Sequence, residues 1–135
     1  GGGGRGRGIL NEDVLITALR GLAGELGLEL AVFEGGLDLR AALKLFQGAR
    51  MLIGAHGAAL ANCVFMGEGA AIIEISTREG GHRHYLHAAA SFDLDYWLVP
   101  GAPENAYARN FSVDVPMVLE AAREAAGITA GPVGA

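Results

Sequence analysis

Two runs of the chain, "RMLIG" (50–54) and "AAIIEI" (70–75), are apolar almost end to end. A strand with one wet face alternates polar and apolar residues, whereas a strand buried on both faces does not. The segments around these runs carry helical spacing. The chain therefore fits a sheet covered on both sides, with strands and helices alternating. Asn11 stands where a helix cap is expected, with Glu12 and Asp13 in the first turn. Leu15, Ala18, Leu19, Leu22 and Leu26 follow on one face, and Gly27 is a natural stop. "LELAVF" (28–33) reads as a strand. Asp38 is placed to cap a second helix with Leu39, Leu43 and Phe46 on its apolar side. Helices are expected over 57–65 and 84–92, and a strand over 95–99 closed by Pro100-Gly101. Residues 101–113 read as a loop. Asp114 is placed to cap a last helix with Val115, Val118, Leu119, Ala122 and Ala126 inward, and Pro116 in its first turn. The fold class read from this pattern is α/β, a Rossmann-like, mostly parallel sheet.

The pattern divides the chain into a flexible Gly/Arg-rich leader (1–8), a Rossmann-like domain (9–127) and a flexible tail (128–135). A doubly wound domain normally opens on a strand, yet the first signals here cap a helix. The expectation is that this chain is part of something larger.

Composition excludes several classes. The net charge is −5 and the pI about 5.3, with basic residues few and scattered, so no basic face is available for nucleic acid or an anionic membrane. No run approaches the roughly 18 apolar residues of a spanning helix. "GGGGRGRG" lacks the apolar core of a signal peptide, and its two arginines neutralise too few phosphates for RNA binding. Cys63 is the single cysteine, so there is no internal disulfide.

Ligands of doubly wound folds bind beyond the carboxyl ends of the strands. "GAHGA" (54–58) falls at such an end. Gly54 and Gly57 let backbone N–H groups approach an anion, a following helix start adds donors, and His56 could add a hydrogen bond or a charge. The same residues are also what a plain strand-to-helix turn requires. Glu74 stands inside an apolar strand, where a carboxylate is costly unless partnered. It could accept both hydroxyls of a ribose, or simply pair with an arginine. Arg7, with Arg5, precedes the first helix and could clamp a phosphate. His82, His84 and His87 cluster without an acidic or cysteine partner at metal-site spacing. Asp93-Leu94-Asp95 matches the bare acidic pair of metal-dependent sugar transferases but stands at the entry to a strand. Cys63 reads as packing, Tyr96 and Trp97 as core and rim, and Asn110-Phe111-Ser112 is a glycosylation sequon.

Residues 49–75, "ARMLIGAHGAALANCVFMGEGAAIIEI", resemble the signature of glycosyltransferase family 61: a strand, His-Gly-Ala, Asn, Phe-Met, a Gly turn and a strand ending in Glu-Ile. "RGILNED" (7–13), "LRAALKLFQGAR", "HYLHAAASFDLDYW" and "VDVPMVLEAAREA" resemble further parts of that pattern, so the similarity covers about residues 7 to 126. Two positions depart from it. Ala59 stands where Gly is frequent, and Ala41-Ala42 replaces a Glu-Gln pair that would face the cleft. The resemblance implies the carboxyl-terminal, donor-binding lobe of a two-lobed GT-B enzyme. Such an enzyme transfers xylose, N-acetylglucosamine or arabinose, with inversion and without a metal, from a nucleotide sugar, expected to be UDP-linked, to a glycan or protein acceptor. It implies an amino-terminal lobe as partner and residence in the Golgi or ER lumen. It carries over to His56, Gly57, Ala58 and Asn62 as signature residues, and to Glu74 and Arg7 as donor contacts. His84 is a candidate on the acceptor side, and the general base is not assigned. The alternative is a truncated, non-catalytic nucleotide-binding or interaction module; a Rossmann-like domain using 54–58 only as a turn is a third reading.

Overall fold

The computed structural model describes residues 8–33, 38–55, 65–77, 90, 93–103 and 110–127. Within them the chain runs α1 (Glu12–Leu26), α2 (Leu39–Gln47), β1 (Met51–Ala55), β2 (Ala71–Ser76), β3 (Asp95–Pro103), β4 (Phe111–Val113) and α3 (Val115–Ala125). The sheet order is β1-β2-β3-β4. The first three strands are parallel, in a register that puts Ala55, Ile75 and Val99 side by side. β4 lies antiparallel to the last three residues of β3. This is the mostly parallel, Rossmann-like α/β sheet that the apolar runs predict. β2, at its centre, is buried at every residue, which is why its sequence carries no alternation.

The two faces have separate cores. On one, Leu15 and Leu22 of α1 and Val118 and Ala122 of α3 close over Ile73, Ile75, Val99, Phe111 and Val113. On the other, Ala42 and Phe46 of α2 pack with Met66, Ala70, Ile72 and Leu94. Each fully buried Ile or Phe contributes roughly 1.5–3 kcal/mol, so these two layers supply most of the driving force. α1 and α3 run side by side in the same direction. Asn11 is joined to Val113 where they start, and Arg123 meets Glu25 at 2.9 Å where they end. That ion pair is exposed and contributes little.

Both helices start at the carboxyl edge of the parallel strands. Pro100 pairs with Ser76, the last residue of β2, and Gly101, one step further on, pairs with Val113. α2 and α3 begin as predicted: Asp38 Oδ1 accepts from the Ala41 N–H at 2.8 Å and Asp114 Oδ1 from the Met117 N–H at 3.2 Å. Gly27 ends α1 with φ 71°. There the Leu28 N–H reaches the Ala23 carbonyl at 2.8 Å and the Gly27 N–H the Gly24 carbonyl at 3.3 Å, a Schellman stop.

Several sequence expectations change. Residues 28–33 form no strand. They are fastened to helices at both ends, by that Leu28 bond and by Phe33, whose ring meets Phe46 edge-on with centroids 5.2 Å apart. β3 does not close at Pro100-Gly101. It continues to Pro103 and changes partner, from parallel β2 to antiparallel β4. The expected loop over 101–113 therefore contains the end of one strand and the whole of another. Leu39 is 67% exposed, and the buried stripe of α2 is Ala42 with Phe46. Ala42 thus faces the core, and position 42 presents nothing to a cleft.

Asn11 occupies the cap position of α1 but makes no side-chain cap bond. Its Nδ2 donates to the Val113 carbonyl and its Oδ1 accepts from the Val113 N–H, both at 2.9 Å. Just upstream, Ile9 bridges Phe111 in parallel, the Leu10 N–H donates to the Phe111 carbonyl at 2.8 Å, and the Phe111 N–H to the Gly8 carbonyl at 3.0 Å. Residues 8–11 thus border β4 as a short strand-like segment.

Candidate functional site

Residues paired across neighbouring strands point to the same side of the sheet. Leu52, Ile72 and Tyr96 form one such row, and Gly54, Glu74 and Leu98 the next row toward the carboxyl ends. The α2 core takes in Ala70, Ile72 and Leu94, at the amino-terminal half of this face. Beyond it, in the carboxyl-terminal half, lie a backbone without a side chain at Gly54, a carboxylate at Glu74, and Leu98, which is 38% exposed. This is the end at which doubly wound sheets bind ligands.

Glu74 is fully buried. A carboxylate there must be partnered, and the Tyr96 hydroxyl donates a hydrogen bond to its Oε1. Tyr96 is the partner of Glu74 that sequence reading missed. "DYW" reads as packing, but alternation sends Tyr96 and Trp97 to opposite faces, and the parallel register sets Tyr96 diagonally beside Glu74. On its own face, Trp97 packs against the α1–α3 core, with its indole Nε1 buried and without a hydrogen-bond partner.

Burial pushes the Tyr96 hydroxyl well above its ordinary value of 10.0, and the hydrogen bond to Glu74 and that residue's charge push it further. The sign of the linkage follows. In the unfolded chain the phenol loses its proton near its ordinary value; in the fold it keeps it to higher pH. Above about pH 10 the unfolded state binds fewer protons, so this contribution to stability, whole below that pH, is lost as pH rises. Urea midpoints measured between about pH 8 and 11 should fall at the alkaline end. Tyr96→Phe should flatten that fall; an unchanged alkaline slope in the variant would contradict the assignment.

Of the other predicted site residues, Gly54 and Glu74 are brought side by side. Arg7, His56, Gly57, Ala58, Asn62 and His84 lie outside the described residues, as do Arg5, Ala59, Cys63, His82, His87 and, apart from Phe65 and Ala90, the helices expected over 57–65 and 84–92. Gly8, next to Arg7, is held at the far edge of the sheet, where its N–H donates to Asn110 Oδ1 at 3.2 Å. The Asp93–Asp95 pair sits at the amino end of β3. Asp93 takes a left-handed turn conformation with φ 55°, Leu94 is buried, and the Asp95 N–H bonds to the Ala70 carbonyl. It is a turn entering a strand, at the opposite end of the sheet from Glu74. Among the described residues no three His, Cys, Asp or Glu side chains are grouped to hold a metal ion, and no helix is long and apolar enough to cross a membrane. An open groove lined by Leu28, Gln47, Arg50, Glu68 and Ala125 lies at the amino ends of β1 and β2, away from the end where such folds bind ligands.

Comparison with known proteins bears on the same region. Residues 2–73, just over half of the chain, match the family described as Glycosyltransferase 61. The alpha-1,3-arabinosyltransferase XAT3 of Oryza sativa subsp. japonica is 36% identical over 73 residues, which cover 53% of this chain and 12% of that protein. The xylan glycosyltransferase MUCI21 of Arabidopsis thaliana is 27% identical over 95 residues, covering 67% of this chain and 18% of that protein. The chain thus spans less than a fifth of the length of these two relatives. With the family match extending over more than half of its length, through the His-Gly-Ala segment and into β2, the chain belongs to glycosyltransferase family 61.

Proposed function

We propose that this chain is the donor-binding lobe of an inverting glycosyltransferase of GT-B type. It would take a UDP-linked sugar such as xylose, N-acetylglucosamine or arabinose and serve transfer to a glycan or protein acceptor in the Golgi or ER lumen. The observation that carries the reading is the fully buried Glu74 beside the bare backbone of Gly54, at the ligand-binding end of a Rossmann-like sheet. The names of the two relatives, an arabinosyltransferase and a xylan glycosyltransferase, support a pentose-related chemistry. Their much greater length leaves room for a second lobe.

In this reading Glu74 accepts the ribose hydroxyls. The backbone of Gly54, Gly57 and Ala58, with His56, meets the diphosphate, Asn62 is a further signature residue, and Arg7 clamps the negative charge. An inverting transfer needs charge stabilisation on the departing nucleoside diphosphate and a general base at the acceptor hydroxyl. These residues supply the first. The second belongs to the acceptor side, where His84 is the candidate from this chain.

The test is calorimetry with UDP and UDP-sugars. UDP should bind, and Glu74→Ala or His56→Ala should each weaken it by about tenfold or more, the loss of a hydrogen bond to a charged group. A well-folded chain that binds no UDP would overturn the reading. Binding without transfer, even when a complete protein containing this lobe is used, would favour the non-catalytic nucleotide-binding module instead.

A further inference from the structure

We propose that Tyr96 is a positioning residue for the nucleotide: its hydroxyl holds Glu74 in the orientation that receives the ribose. The inference rests on the donor reading of Glu74 and adds to it a residue outside the family-matched segment, which ends at Ile73.

The argument begins from the carboxylate. Glu74 is fully buried in the central strand, and a buried carboxylate with rotational freedom would select whichever donors it could reach. The Tyr96 hydroxyl removes that freedom by donating to Oε1. Tyr96 is itself fixed, because its ring packs at the edge of the α2 core, against the cluster that contains Phe46, Ile72 and Leu94. The chain of support therefore runs from α2, through the Tyr96 ring and hydroxyl, to Glu74. A phenol that keeps its proton can only donate to a carboxylate. Leu52, Gly54, Ile72 and Leu98, the paired neighbours on this face, carry no charge, and α2 turns Ala42 and Phe46 to the core while Arg40 and Lys44 are exposed. The next row toward the rim adds Ser76.

The experiment compares the affinity of the whole chain for UDP with that for 2′,3′-dideoxy-UDP, in the wild type and in Tyr96→Phe. Phenylalanine keeps the ring and its packing and removes only the hydroxyl. The wild type should prefer UDP by about tenfold, one charge-assisted hydrogen bond's worth of discrimination. In Tyr96→Phe the preference should fall to about twofold or less, with UDP weakened and dideoxy-UDP nearly unchanged. The quantity read is a ratio within one protein sample, so partial unfolding lowers the number of sites without moving it, and a purely structural role for Tyr96 would weaken both ligands alike. If the wild type discriminates and the variant does so equally, the positioning role is overturned while the donor reading stands. If the wild type binds both ligands equally, Glu74 does not meet the ribose, and the assignment of both residues falls.

Discussion

Gly101→Ala is expected to lower the stability of the fold by about 3 kcal/mol, the upper end of what overpacking a core costs. A Cβ at Gly101 would stand 2.5 Å from Cδ2 and 2.8 Å from Cε2 of Phe111. Phe111 is 1% exposed and sits in the core between the sheet and the α1–α3 layer, so the ring has nowhere to retreat. Gly101 is also the first residue of β3 to pair with β4, and any shift of backbone there disturbs the start of the antiparallel hairpin. Thermal or urea denaturation measures the loss. A double-mutant cycle isolates the cause: Gly101→Ala placed on Phe111→Leu, which removes the ring edge, should cost at least about 1 kcal/mol less than on the wild type. Additive effects would show that the cost arises in the backbone and not from the ring.

Asn11→Ala should cost about 2–3 kcal/mol, because it removes two hydrogen bonds at once and leaves the Val113 N–H and carbonyl unpaired in a half-buried place. The informative comparison is Asn11→Ser. Serine is as good a helix cap as asparagine but cannot span both polar groups of Val113. If Asn11 acted only as a cap, serine would restore stability. The geometry predicts that serine will be nearly as damaging as alanine, and full recovery with serine would refute the cross-link.

Much of the fold is legible in the residues themselves. β2 announces itself because burial on both faces leaves no polar alternation, β1 because it is partly covered along its whole length, and the starts of α2 and α3 because Asp38 and Asp114 are capping side chains whose function is local. What the sequence hides is non-local. "LELAVF" has the composition of a strand, but a strand is defined by its partner, and residues 28–33 are instead tied back to α1 and α2. Pro100-Gly101 looks like an ending, yet Pro100 stands at the last parallel pair of β3 and Gly101 is small because Phe111 lies over it. Asn11 looks like a cap, but its amide is used by a residue over a hundred positions away. The site divides in the same manner. Glu74 is conspicuous as a charge in an apolar run, and Gly54 as a break before a histidine. Tyr96 is invisible until the parallel register places it on the same face as Glu74.

The bonds between residues 8–11 and 110–113 span 102 positions of sequence, and this has a consequence for how the protein is made. α1 is synthesised before the rest of this sheet, but the surface it packs on is completed only when β4 and α3 have emerged. At about 5–20 residues per second, the wait is on the order of 5–20 s. Through that interval Leu15 and Leu22 lack the partners that bury them, and closure over so long a span is slow relative to local contacts. The earliest-made helix of this sheet is therefore secured late, and its apolar stripe needs shelter during translation.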